Sequence, residues 1–307
     1  MAKKPNTRVR FLGGHAPRID LLGLLAFPVV LDGRDDEHTR FFTTTSVKWV
    51  HKAIDADIVS VTYERGAEGW CWWLLGKRGD VYAVRPGGVT REVITDAGTG
   101  AGKFGYLRSL KLIDNRLVAC GFCRQVYERT TAGWIHQDQG ILLGAETMDS
   151  CLNDIADNAD RVLCAVGDEG EIAFQTNSSW AMFDSPTNEH LYAVCTDDQG
   201  RFCAAGANGT VVRGNAAGME VLCTGGEFDE VLWDIEFHEG QLVVSATAGL
   251  FVVRDGVLVP FDKPSPPDHA GYKLTTVDGA LWSIGTHQVM GLVNGVWTEW
   301  VCPDNAP

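Results

Sequence analysis

Short apolar runs alternate with glycine-centred polar turns along the whole chain, and no amphipathic helical period interrupts them. The stretch RFCAAGANGTVVRG, residues 201–214, is one such unit. RVLCAVGDEGEIAFQ stands about forty residues before it and QLVVSATAGLFVVRDG about forty after it. The small residue that ends one apolar run and precedes the next recurs as Gly33, Gly76, Gly121, Gly167, Gly206, Ala246 and Gly285, at intervals of 43, 45, 46, 39, 40 and 39 residues. An apolar-x-x-apolar strand precedes most of these anchors: IVSV at 58, LRSL at 107, LNDI at 152, LYAV at 191, LWDI at 232 and LTTV at 274. A third run follows each anchor. A turn such as Asp255-Gly256 or Asn294-Gly295 then leads into a fourth, as in VLVPF and VWTEW.

Four short strands per unit, repeated at 39–46 residues, resemble the blades of the β-propeller superfamily over the whole chain. The resemblance implies an all-β fold, a single-domain propeller spanning 1–307, with seven four-stranded blades. Six blades plus an N-terminal extension is the alternative, because the first unit is the least regular. Its first strand is expected near residue 19, and RVRFLG ahead of it is expected to pair with the last blade. The anchor glycines are expected at the corner between second and third strands, where positive φ or close backbone approach excludes a Cβ. Neither the Gly-His…Trp-Asp pairing of WD repeats nor the kelch double glycine recurs.

Composition adds the setting. Net charge is −14, which disfavours nucleic acid and favours a basic partner. The nine cysteines are odd in number and scattered singly through apolar runs, as buried thiols in a reducing, cytoplasmic compartment would be. Cys120 and Cys123 form a lone CxxC with no second pair for zinc and no helix start for redox chemistry. LLGLLAFPVVL is read as a buried strand pair, not a signal segment, since Arg18 and Asp20 precede it and no cleavage pattern follows. No other stretch approaches membrane length.

Catalytic signatures are sparse. The eight histidines are dispersed, and GTGAGKFG at 98–105 departs from phosphate-loop spacing, so it is read as an inter-blade loop. Asp154 and Asp234 are the carboxylates in the first-strand windows. They are the candidate ligands if the protein were a metal-dependent hydrolase or lyase acting on a lactone or sugar; the favoured reading is that they tie adjacent blades together. A lectin using Trp134, Trp180 and Trp297 is disfavoured because few units repeat that tryptophan.

Charge in the loops carries more. Second-to-third turns and inter-blade connections of a propeller emerge on one face, and here they hold Asp35, Asp36, Glu37, Asp168, Glu169, Glu227, Asp229 and Glu230, with Phe228, Trp233, Phe104, Tyr106 and Tyr272 as aromatic anchors. The third-to-fourth turns opposite carry Arg85, Arg129, Arg213 and Arg254. The expectation is a non-enzymatic, cofactor-free protein that binds a basic protein partner through an acidic face. Its most concrete form is a bacterial immunity protein neutralising a cognate toxin.

Overall fold

The computed structural model describes residues 8–67, 69–226, 228–263 and 271–306, which form seven four-stranded antiparallel sheets in succession. Blade 1 is β1 (Val9–Arg18), β2 (Leu21–Pro28), β3 (Thr39–Thr45) and β4 (Lys48–Ile54). Blade 2 is β5 (Ile58–Gly66), β6 (Gly69–Gly76), β7 (Asp80–Arg85) and β8 (Gly88–Val93). Blade 3 is β9 (Leu107–Ile113), β10 (Arg116–Gly121), β11 (Val126–Thr130) and β12 (Gly133–His136). Blade 4 is β13 (Leu152–Asp157), β14 (Leu163–Gly167), β15 (Ile172–Thr176) and β16 (Ser179–Phe183). Blade 5 is β17 (Leu191–Thr196), β18 (Phe202–Gly206), β19 (Val211–Asn215) and β20 (Gly218–Cys223). Blade 6 is β21 (Asp234–His238), β22 (Gln241–Ala246), β23 (Gly249–Arg254) and β24 (Val257–Pro260). Blade 7 is β25 (Gly271–Val277), β26 (Ala280–Gly285), β27 (Val289–Val293) and β28 (Val296–Glu299). The first strand of each blade lines the central channel. No described helix is long and apolar enough to cross a membrane.

The core lies between blades, not within them. Each apolar cluster draws on two neighbours: Trp73 and Leu75 of blade 2 pack with Leu110 and Ala119 of blade 3, and Phe174 of blade 4 with Phe202 of blade 5. The same holds around the ring to Trp282 and Ile284 of blade 7 against Phe11 and Leu24 of blade 1. The seven-blade expectation is met, and the six-blade alternative is not.

The N terminus corrects one expectation. RVRFLG lies in the innermost strand of blade 1 itself: β1 starts at Val9, and Phe11 pairs with Ala26 of β2. Closure uses no strand borrowed from blade 7. A backbone bond runs from Phe11 N to Thr286 O (2.7 Å), and the C-terminal tail acts as the latch. Val9 N donates to Asn305 Oδ1 (2.9 Å), Arg40 Nη1 meets Asp304 Oδ2 (2.7 Å), and Trp300 packs edge-on against Trp282.

The anchor glycines are explained by crowding rather than by φ. Gly167 and Gly206 are extended (φ −158° and −167°), but a Cβ on either would overlap the carbonyl oxygen of the residue just before the blade's own innermost strand, Cys151 or His190. Positive φ falls two residues later, at Glu169 (52°) and Asn208 (51°), within one-turn 3-10 corners. Gly33 differs: it follows a 3-10 turn at 29–31, has φ +78°, and meets nothing within 4 Å. The stretch 98–105 is an inter-blade loop pinned by a Gly98–Gly105 bridge. All nine cysteines are free, and burial pushes the Cys120 and Cys123 thiols up, away from the thiolate form.

Gly206→Ala is therefore expected to cost about 2–4 kcal/mol, as a steric change at a site that cannot relax. Gly218→Ala, where nothing lies within 4 Å, is expected to change stability by less than about 1 kcal/mol. Denaturant midpoints of the two variants check this; equal midpoints would remove the crowding explanation.

Candidate functional site

The innermost strands enclose a channel of about 480 Å³. Its polar side chains first serve to join blades. Ser60 Oγ of blade 2 donates to Leu110 O of blade 3 (3.2 Å) and accepts from Leu110 N (3.0 Å). Asp154 of blade 4 accepts from Ser109 Oγ of blade 3 (2.7 Å) and Val194 N of blade 5 (3.2 Å). Asp234 of blade 6 accepts from Leu274 N of blade 7 (2.9 Å). Each aspartate also carries an ammonium, Lys111 Nζ at 3.2 Å from Asp154 and Lys273 Nζ at 3.3 Å from Asp234. Both carboxylates are thus engaged by donors from neighbouring blades. Among the described residues no group of three or more His, Cys, Asp or Glu side chains converges as a metal site.

Charges in this confined space shape one another. Burial opposes the Asp154 charge, but Lys111, Lys273, the Ser109 hydroxyl and the Val194 N–H overcome it and hold its pKa low. Burial also opposes the charge on Lys111, yet Asp154, with Asp234 and Glu236 beyond it, holds that pKa above its ordinary value. Glu236 accepts from Thr276 Oγ1 (2.8 Å) but has no lysine in contact; burial first, then the neighbouring Asp234, push its pKa up to about 7. His15 on β1 is brought down to about 4 by burial and by Lys111.

At the mouth a different set of side chains stands out. The pairing of first and second strands slips by one residue at the top of most blades, a β-bulge, and the extra residue leaves the alternation of the strand. The residues in this position are Leu12, Val59, Arg108, Asn153, Tyr192 and Tyr272 in blades 1, 2, 3, 4, 5 and 7. In blade 6, Trp233 occupies the matching place, its N–H bonded to Ser245 O just before Asp234 pairs with Ser245. The residues in this position are thus aromatic or aliphatic in blades 5, 6, 7, 1 and 2 and polar in blades 3 and 4. Rings follow one another as an arc: Tyr192 to Trp233 at 6.0 Å, Trp233 to Tyr272 at 5.6 Å. Of these, the loop pattern of the sequence points to Trp233 and Tyr272 as anchors. For Val59, Arg108, Asn153 and Tyr192 the signal was the second position of the apolar-x-x-apolar strand, once the bulge there is known.

The acidic residues expected at a partner surface are placed as follows. Asp35 and Asp36 are exposed in the β2–β3 loop of blade 1, while Glu37 beside them is tied to Arg78 of blade 2 (2.6 Å). Asp168 accepts from Asn153 Nδ2 (2.9 Å) and lies 3.3 Å from His190 Nδ1; Glu169 is exposed and its backbone N–H donates to that same imidazole. Glu230 accepts from Ala248 N (3.1 Å), and Asp229 is exposed. Phe228 is half-buried against Phe251, and Glu227 lies outside the described residues. The structure brings Asp168 and Glu169 beside Tyr192 through the stacked His190–Tyr192 pair, and the segment 228–230 leads directly into Trp233. It does not bring 35–37 to that side: they belong to the blade 1–2 sector, where Lys77 and Arg78 stand over Tyr106.

On the opposite face the arginines are paired internally, Arg129 with Glu92 (2.7 Å), Arg213 with Glu220 (3.1 Å) and Arg254 with Asp262, while Arg85 stacks on Trp73. Trp180 is buried, and Trp134 and Trp297 are half-buried with their indole N–H groups donating to Glu92 and to Lys263 O. They pack the outer strands and form no exposed platform.

No protein-family model matches the chain. It is 31% identical over 228 residues to the immune protein Tsi7 of Pseudomonas aeruginosa, covering 73% of this chain and 74% of that protein. Among solved structures it resembles YCF48 bound to D1 peptide (TM-score 0.65, 13% identity, 97% of this chain and 95% of that one). It also resembles the WD40 β-propeller domain of Doa1 (TM-score 0.64, 12% identity, 94% and 93%). YCF48 from Cyanidioschyzon merolae gives TM-score 0.65 at 11% identity over 94% and 95%.

The channel network provides a test that needs no partner. Glu236 is faced by Asp234 on its own strand, by Lys111, by Lys273 and Thr276, and by Cys195. Its folded pKa of about 7 exceeds the ordinary 4.5, so its contribution to stability is complete below pH 4.5 and is lost as pH rises through 7. Glu236→Gln is expected to match the parent at pH 5 and to exceed it at pH 8 by on the order of 2 kcal/mol. Taking the difference between the two proteins at each pH cancels the opposing titration of His15. Denaturant unfolding at both pH values checks this; a difference independent of pH would contradict it.

Proposed function

Because the chain belongs to the family of the immune protein Tsi7, we propose that it is an immunity protein, a non-catalytic binder that neutralises a cognate toxin. The toxin is engaged on the face where the blade corners and the channel mouth lie. The single observation that carries this reading is the likeness to that immune protein across most of both chains. The channel supports it, since Asp154 and Asp234 are committed to holding blades together. A propeller of this fold bound to a peptide, as in the YCF48 structure, supports the use of such a scaffold for a protein partner.

The partner's surface is basic on this reading. Net charge is −14, and Asp35, Asp36, Glu169 and Asp229 are exposed with no ion pair among the described residues. Carboxylates already paired, such as Glu37 with Arg78, contribute little, because an incoming cation would have to displace one in place. Glu169 and Asp229 flank the aromatic arc and form the core of the contact; Asp35 and Asp36 widen the field that steers association. The nine free cysteines support a reducing site of action, the cytoplasm.

The test begins with the reading frame beside this gene. Its expression is expected to arrest growth of a host cell, and coexpression of the present chain to restore it. A toxic neighbour that the chain neither binds nor suppresses would overturn the reading, as would a neighbour without toxicity. Within that assay, Glu169→Lys combined with Asp229→Lys is expected to weaken the purified complex at least tenfold at 50 mM salt and to flatten its salt dependence. Lys48→Glu, at an exposed position on the opposite face, is expected to leave both unchanged.

A further inference from the structure

We propose that the aromatic arc formed by Tyr192, Trp233 and Tyr272 is a socket for an arginine side chain of the partner protein. The proposal rests on the immunity reading for the identity of that partner and on this chain's own geometry for the chemistry.

The rim shows what its aromatics do when a cation is at hand. Tyr106 in the blade 2–3 connection has Lys77 Nζ and the Arg78 guanidinium over its ring at 5.5 and 5.9 Å, and Phe122 has the Arg108 guanidinium at 5.2 Å. These rings are served from within the chain. Around the other side of the mouth the rings of Tyr192, Trp233 and Tyr272 follow one another at 6.0 and 5.6 Å, and no described residue places a cation over any of them. Lys273 is next to Tyr272 in sequence, but its ammonium is drawn to Asp234 in the channel.

Three half-buried aromatics in contact are costly surface to leave against water unless something covers them. Their faces are electron-rich, and the charge around them is mainly negative: Asp168 and Glu169 stand beside the Tyr192 end and Asp229 and Glu230 lead into Trp233, while Arg108 acts on Tyr192 from the blade 3 side, its guanidinium over Phe122. A purely apolar plug would be favoured by the rings but would leave these carboxylates without counter-charge. A lysine would satisfy the charge, but an arginine also stacks, because its guanidinium is flat and weakly hydrated. Three adjacent blades supply the rings, so the socket requires the closed propeller. The bulges lift the rings of Tyr192 and Tyr272 out of the strand alternation, and the ties between blades here run through backbone: Val194 N and Leu274 N two residues along, and Tyr272 O, which accepts from Ser245 Oγ (3.2 Å).

The probe is a hexa-arginine peptide, with a hexa-citrulline peptide as its uncharged counterpart, titrated into ¹⁵N-labelled full chain and followed at the tryptophan indole resonances. Trp233→Phe identifies the reporting signal. Arginine is expected to move the Trp233 indole saturably and citrulline to leave it in place. Tyr192→Leu with Tyr272→Leu is expected to weaken binding about tenfold, while Tyr192→Phe retains it. Equal shifts with citrulline, or unchanged affinity in the double leucine variant, would overturn the socket. Choline binding more tightly than the arginine peptide would overturn the assignment to a protein side chain. The coexpression assay keeps the two readings apart. If the leucine variant still protects fully and no arginine binding is seen, the socket falls and immunity stands. If arginine binds but the parent chain protects against nothing, immunity falls and the socket stands.

Discussion

No blade in this protein can bury its own apolar residues, and everything else in the structure follows from that constraint. A four-stranded sheet has two faces, and here both are lined by residues such as Trp72, Trp73, Phe174 and Phe202 that are withdrawn from water only by the next blade. The core therefore exists only when the ring is closed. Closure in turn concentrates on one seam, where Trp282 and Phe11 meet and the tail from Trp300 to Asn305 fastens β1. The missing strand exchange between first and last blades is compensated by side chains, Arg40 to Asp304 and Asn305 to both Val9 N and His287 O.

The same constraint divides the innermost strands into two kinds of position. Residues within the alternation face a neighbouring strand and are used for joining: Ser60, Asp154 and Asp234 each reach the backbone of the next blade. Because those groups are confined together, they carry lysine partners, and the carboxylate without one, Glu236, keeps its proton to near-neutral pH. Among the residues at the bulges, Asn153 shares this duty, its Nδ2 donating to Leu191 O of blade 5 (3.0 Å), whereas the rings of Tyr192 and Tyr272 pack along the mouth instead. These positions encircle the mouth, where Arg108 and Asn153 occupy one sector and Tyr192, Trp233 and Tyr272 another.

Much of this was legible in the sequence because it repeats. The corner glycines at 167 and 206 and the strands LNDI, LYAV and LWDI set the blade count and the placing of Asp154 and Asp234 between blades. The first blade was misread because its anchor, Gly33, lies beyond a 3-10 turn instead of ending the second strand, which displaced the reading of β1. Of the two reasons for a corner glycine, close approach is the one that holds at Gly206, while positive φ belongs to Asn208. The mouth was largely hidden. Tyr192, Trp233 and Tyr272 are about forty residues apart in the chain, and their contact with one another depends on the ring closing and, for Tyr192 and Tyr272, on a bulge that an alternating pattern does not show. Ion pairs such as Glu37 with Arg78 were equally out of reach, and they decide which carboxylates remain available to a partner.

The central claim is that a toxin is held at the mouth and corners of this propeller. The decisive measurement is hydrogen–deuterium exchange of the full chain, alone and in complex with a toxin that the coexpression assay shows it to neutralise. The account predicts slowed exchange concentrated in segments 167–170, 189–193, 228–234 and 271–273, with the third-to-fourth-strand turns at 86–87, 131–132 and 255–256 unchanged. Protection centred on those opposite turns, with the mouth segments exchanging as in the free protein, would contradict it.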